Sequence, residues 1–122
     1  LDFIEDMSGL RLVGGDLNIF GNDELTSLAG LFNLSAVGGN LNIHNNEKLT
    51  ELEGLEGLVR VGVDLNVYDN QRLSDLEGLV NLAGVGAKVF IVGNTNLPTD
   101  EAQALAARAS GGGEVLIEDN KD

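Results

Sequence analysis

His44 is the only histidine in this 122-residue chain, and it stands between two aromatic residues at equal intervals: Phe20, His44, Tyr68. An imidazole can act as a general base or a metal ligand, but either role needs an orienting or co-ligating partner. There is no second histidine and no cysteine to supply one. Thiol catalysis, disulfides and thiolate metal sites are excluded for the same reason. Asp16, Asp64 and Glu114 occupy equivalent positions, with Asn40 and Lys88 between them, so Lys88 is expected to partner an acid. A calcium site needs six or more clustered oxygens, which an interrupted column of this kind does not provide. Glu51 with Asp75, and Glu53 with Glu77, stack like charges on another side and predict a solvated acidic face, with weak divalent-ion binding as the alternative. The run SGGGE at 110–114 is no phosphate loop, because Glu stands where Lys is required. Serine, threonine and acid pairs occur, but none completes a nucleophile–base–orienter set with the one histidine. The sequence therefore predicts no catalytic residue, no metal and no cofactor.

Composition narrows the remaining classes. Apolar residues make up 43% of the chain and aromatics 4%, which predicts one modest domain with an aliphatic core. The formal net charge of −13 argues against nucleic acid and anionic membranes, both of which need Lys and Arg opposite phosphates. No stretch approaches the ~20 apolar residues of a membrane span, so no membrane insertion is expected within the chain.

The elements that must position these residues come from repetition. VGGDLNIFGNDELTSLAGLFNLSA at 13–36 returns as VGGNLNIHNNEKLTELEGLEGLVR at 37–60 and VGVDLNVYDNQRLSDLEGLVNLAG at 61–84. Aliphatic columns run through the copies, headed by Val13, Leu17, Ile19, Leu25, Leu28, Leu31 and Leu34. One copy cannot bury so many apolar side chains alone, whereas stacked copies can, which is the logic of a solenoid. DLNIF alternates with period two and predicts a strand with Leu17 and Ile19 inward. Strands repeated at a fixed interval must stack in parallel, here as one five-stranded sheet centred on Asn18, Asn42, Asn66, Phe90 and Leu116. LTSLAGLFNL has apolar residues every third position, which suits a 3-10 turn or tight coil better than an α-helix. The Gly30, Gly54, Gly78 column is expected to make a bend there.

The last copy, 85–122, departs from the pattern. TDEAQALAARASGGG predicts an α-helix from about Asp100 to Ala109, with Thr99 or Asp100 as N-cap, acids in the first turn and Arg108 near the end. EVLIEDN then returns as a fifth strand, and an atypical terminal repeat is the expected cap of a repeat stack. At the other end, LDFIEDMSGLRL at 1–12 aligns with the second half of a repeat, so the chain reads as one domain and as the C-terminal piece of something longer.

The pattern LxxLxGLxxLxxVGGxLxIxxNxxL resembles the receptor L-domain repeat of insulin- and growth-factor-receptor ectodomains, and most of all its bacterial cell-surface branch and the neighbouring leucine-rich repeats. The resemblance covers nearly the whole chain. It implies an α/β repeat fold, a right-handed, L-domain-like solenoid of ~24-residue coils. It also implies an extracellular or cell-surface location, a ligand-binding role, and an inward asparagine ladder at Asn22, Asn46, Asn70, Asn94 and Asn120 that satisfies backbone groups between coils. Two departures stand out. Asp100 occupies a region where secreted relatives often carry Cys, and Gly14 stands where a standard leucine-rich segment begins with Leu, which favours the flatter L-domain coil over a curved horseshoe.

Outward strand positions are where the copies stop agreeing. They carry Asn18, Asn42, Asn66, Phe90 and Leu116 in one column and Phe20, His44, Tyr68 and Val92 in the next. Aromatic and apolar side chains on a bare sheet face predict an interaction surface, and the same rings can also stack as a ladder that stiffens the sheet. The leading expectation is a non-enzymatic binding module that recognises a protein or glycan through this face. The alternative is a structural subunit that assembles with neighbouring copies through its ends or its sheet.

Overall fold

The computed structural model describes residues 9–122, so the opening residues of the expected partial coil, 1–8, lie outside the described residues. Each repeat contributes a two-residue and a four-residue strand. These are β1 (Leu12–Val13) and β2 (Leu17–Phe20), β3 (Ala36–Val37) and β4 (Leu41–His44), β5 (Arg60–Val61) and β6 (Leu65–Tyr68), and β7 (Gly84–Val85) and β8 (Val89–Val92). Helix α1 (Thr99–Ala109) and strand β9 (Val115–Glu118) close the chain. Two of the three-periodic segments contain 3-10 turns, at Ala29–Leu31 and Glu77–Leu79.

The sequence predicts one parallel sheet, and the structure contains two. The four-residue strands form the expected five-stranded sheet in the order β2-β4-β6-β8-β9. Its register places Leu17, Leu41, Leu65 and Val89 side by side, one repeat apart. The last step, Val89 to Val115, is two residues longer because a helix replaces the compact half-repeat. The second sheet, β1-β3-β5-β7, pairs the column of Val13, Val37, Val61 and Val85 with its neighbours. Its strands are too short for the period-two signal that identifies a strand in sequence.

Inward side chains of both sheets and the leucines of the turns form one aliphatic core. Leu41, Ile43, Leu65, Val67, Val89 and Ile91 are fully buried from the long strands, and Leu49, Leu52, Leu55 and Leu58 from a single connecting segment. The asparagines following the long strands turn into this core. Asn46, Asn70 and Asn94 are fully buried, and each Nδ2 donates to a strand carbonyl of the preceding copy: Ile19, Ile43 and Val67, all at 3.0 Å. Each also passes a hydrogen bond to the next Asn Oδ1, from Asn22 to Asn120, at 3.1–3.2 Å. Groups that a bend would strand in an apolar interior are paired this way.

Copies approach one another too closely for side chains at several glycines. A Cβ at Gly78 would strike the Leu52 carbonyl, and one at Gly86 the Gly62 carbonyl. The bend expected at this column is thus only part of the explanation: Gly54 has φ +114°, but at Gly78 the constraint is the neighbouring backbone. The helix start also differs from expectation. Pro98 precedes it without a side-chain cap, and the Thr99 Oγ1 donates instead to the Lys121 carbonyl at 2.9 Å. Glu101 Oε1 accepts the Leu76 N–H at 3.0 Å and Arg108 Nη2 donates to the Leu79 carbonyl at 2.9 Å, so polar side chains of α1 bind the turn beneath it. Among the described residues no helix is long and apolar enough to cross a membrane.

Candidate functional site

The outer face of the five-stranded sheet carries three columns of side chains, and each column bonds along itself. Phe20 stacks on His44 with centroids 4.9 Å apart and planes 4° from parallel, and His44 stacks on Tyr68 at 4.5 Å and 3°. The ring faces are therefore largely spent on one another, and Phe20, 57% exposed, is the one ring of the stack that is mostly open to solvent. His44 Nδ1 accepts from the Asn45 side-chain amide at 2.9 Å, and no carboxylate bonds its ring among the described residues. An imidazole held this way is a stacking element, with no acid placed to orient it as a base.

The asparagine column forms a second ladder. Asn42 Nδ2 donates to Asn18 Oδ1 at 2.6 Å, and Asn66 Nδ2 donates to Asn42 Oδ1 at 2.7 Å. The acid column forms a third. Asp16, Asn40 and Asp64 each accept, through Oδ1, the backbone N–H of the equivalent residue in the next copy, at 2.7, 2.9 and 2.9 Å. This column thus caps the entries of β4, β6 and β8. Lys88 does not pair with an acid as expected: Asp64 takes its backbone N–H, and the one ion pair among the described residues is Lys48 with Glu24 at 2.8 Å.

Five of the nine predicted surface residues, Asn42, Asn66, Tyr68, Phe90 and Val92, line a single 490 Å³ depression. Asp64, Asp69 and Lys88 complete its wall. Asn18, Phe20 and His44 continue the ladders away from it, and Leu116 lies on the far side of Phe90 in the edge strand β9. Phe90 meets Tyr68 edge to face, with centroids 6.0 Å apart and planes at 84°. Asp64, Asp69 and Lys88 are not among the predicted surface residues; Asp64 and Lys88 stand in a column recognised in the sequence, and Asp69 in none. Asp69 belongs to a column of its own, with Gly21, Asn45, Gly93 and Asp119, all at positive φ between 56° and 73°. Glycine, asparagine and aspartate share tolerance of that left-handed backbone, and this is the signal that links the five positions.

The acidic side gathers Glu51, Glu53, Glu56, Asp75 and Glu77 around a 270 Å³ cavity. A hydrogen bond with Glu53, then burial, then the charges of Glu53, Asp75 and Glu56 push the Glu51 carboxyl above its ordinary 4.5. Among the described residues no group of three or more His, Cys, Asp or Glu side chains is arranged to hold a metal ion. No protein-family model matches this chain, and neither a curated protein nor a solved structure shows significant similarity to it.

Proposed function

We propose that this protein is a non-enzymatic recognition module, a right-handed solenoid of receptor L-domain type that takes a protein or glycan ligand on the outer face of its five-stranded sheet. One observation carries the reading: five side chains singled out as outward converge on one depression of 490 Å³, within the size range of ligand sites. An acidic surface of net charge −13 suits a neutral or cationic partner and disfavours polyanions. A cell-surface location follows from the resemblance of the repeat. The test is binding of the protein to an immobilised panel of glycans and to a displayed random-peptide library, beside the double variant Tyr68→Ser, Phe90→Ser. Neither side chain belongs to the buried core, so the variant keeps the fold and forfeits the Tyr68–Phe90 edge-to-face contact and the Tyr68–His44 stack, each worth about 1 kcal/mol. Its affinity for any selected ligand should fall by more than ~2 kcal/mol, about 30-fold. No selected ligand, or equal binding by the variant, refutes the reading.

Assembly with neighbouring copies has its own supporting observation. Val115 in β9 is 41% exposed, although the equivalent Val89 is fully buried, and an uncovered strand edge invites strand addition. Sedimentation at low and high salt decides it: screening the net charge should promote association, and Val115→Lys should abolish it. A monomer at every salt and protein concentration removes this alternative.

A further inference from the structure

Two of the three outer ladders end between β6 and β8, and the third ends one strand later, at Lys88. The acceptor ladder runs Asp16, Asn40, Asp64, whose Oδ1 still takes the Lys88 N–H, and goes no further because the Lys88 side chain has no oxygen to offer. The amide ladder runs Asn18, Asn42, Asn66 and stops because Phe90 follows. The ring stack runs Phe20, His44, Tyr68 and stops because Val92 follows, with Phe90 turned across its end. Among the described residues Asn66 Oδ1, Asp64 Oδ2, the Asp69 carboxylate, the Tyr68 hydroxyl and the Lys88 ammonium accept or donate no hydrogen bond, and all five side chains line the 490 Å³ depression.

From this coincidence we infer that the ladder break is the ligand site and that its ligand is a neutral saccharide; the inference rests on the binding-module reading above. The free groups set the chemistry. Carboxylates and an amide oxygen need donors, while the ammonium needs an acceptor close by. Adjacent sugar hydroxyls donate and accept at once and meet all of them within one or two rings. Phe90, taken out of the parallel stack, keeps at least one ring face without a ring partner, and with Val92 it offers apolar area to the C–H side of a pyranose. Two carboxylates face one ammonium, so uronic and sialic acids are disfavoured. A zwitterionic peptide terminus is the competing class. Its ammonium would satisfy the carboxylates at a single point and leave Asn66 and Phe90 without a role.

The experiment is an amide-resolved NMR titration of the protein with chitobiose, cellobiose, maltose and mannobiose, with sialyllactose and a zwitterionic dipeptide as counter-probes, each to roughly 10 mM. At least one neutral disaccharide should shift the amides of residues 64–69 and 88–92 and leave those of Asn18 to Phe20 unmoved. Lys88→Met and Phe90→Ala should each weaken that binding about tenfold, while Phe20→Ala, outside the depression, should change it by less than about twofold. If Lys88→Met or Phe90→Ala perturbs the fold, the conservative Lys88→Arg and Phe90→Tyr should retain binding. Shifts with the dipeptide or sialyllactose alone overturn the saccharide assignment and leave the binding module standing, as does a peptide from the displayed library that depends on Tyr68 and Phe90 while no sugar binds. No shift with any probe and no library ligand overturns both.

Discussion

Replacing Asn70 by alanine tests the inner asparagine ladder at its most enclosed point. Asn70 is fully buried. Its Oδ1 accepts the Asn46 backbone N–H at 3.2 Å and the Asn46 Nδ2 at 3.2 Å, and its Nδ2 donates to the Ile43 carbonyl at 3.0 Å. Asn70→Ala leaves these three groups unpaired inside a core that water does not reach. Each orphaned buried group costs about 1–3 kcal/mol, and removal of the amide itself returns part of that, so a net loss of about 3–5 kcal/mol is expected. Asn120 supplies the same kind of bonds, accepting from Asn94 N at 3.1 Å and donating to the Ile91 carbonyl at 2.8 Å. It is only half-buried, so water can replace the lost partners and Asn120→Ala should cost about 1 kcal/mol. Urea unfolding followed by far-UV circular dichroism measures both, with Glu51→Ala as a surface reference. Equal losses for Asn70→Ala and Asn120→Ala, or a loss at Asn70 no larger than the reference, would refute the argument that burial of the orphaned groups sets the cost.

Ile43→Ala removes a fully buried side chain from the centre of the stack and should cost about 2–5 kcal/mol by the same assay, whereas truncating exposed Val80 should cost less than about 1. Gly78→Ala drives a Cβ into the Leu52 carbonyl and should lower the thermal midpoint well below that of Gly84→Ala, where nothing lies within 4 Å. The Glu51 carboxyl is raised in the folded state, so the fold binds its proton more tightly than the unfolded chain does. Stability from this group is therefore fully present below 4.5 and is lost as pH rises through the raised value. Glu51→Gln should melt higher than the parent at neutral pH, with the difference vanishing on acidification and shrinking in salt; a lower melting point at neutral pH contradicts the sign.

Long strands and the terminal helix were legible because each rests on a pattern with enough members: Leu17 and Ile19 alternate with outward residues, and the Leu columns recur at a fixed interval. The second sheet was not legible, since Val13 and its equivalents sit in strands of two residues and a period cannot be read from one interval. The left-handed column from Gly21 to Asp119 escaped for a different reason. It keeps a backbone conformation while changing its letter, so columns of identical residues do not reveal it. Asp16 and Asp64 are legible as a column, but the expected pairing of Lys88 with an acid fails, because sequence shows a carboxylate and does not show the N–H that occupies it. The depression was half legible: its aromatic and amide residues came from outward alternation, while Lys88 and Asp69 join them through the end of one ladder and a turn in the backbone.

Asn46, Asn70 and Asn94 each serve the copy before and are served by the copy after, and the outer ladders work the same way. A unit with one donor side and one acceptor side can be duplicated or deleted without leaving either side empty. Tandem duplication of residues 37–60 would lengthen the molecule by about 4.8 Å and rejoin every ladder. The interruption at Lys88, Phe90 and Val92 would be carried along intact, since it depends only on the two copies before it and the duplicate supplies the same Asn42. Length and the residues at the interruption can therefore change separately, by copy number on one side of that boundary and by point substitution at it.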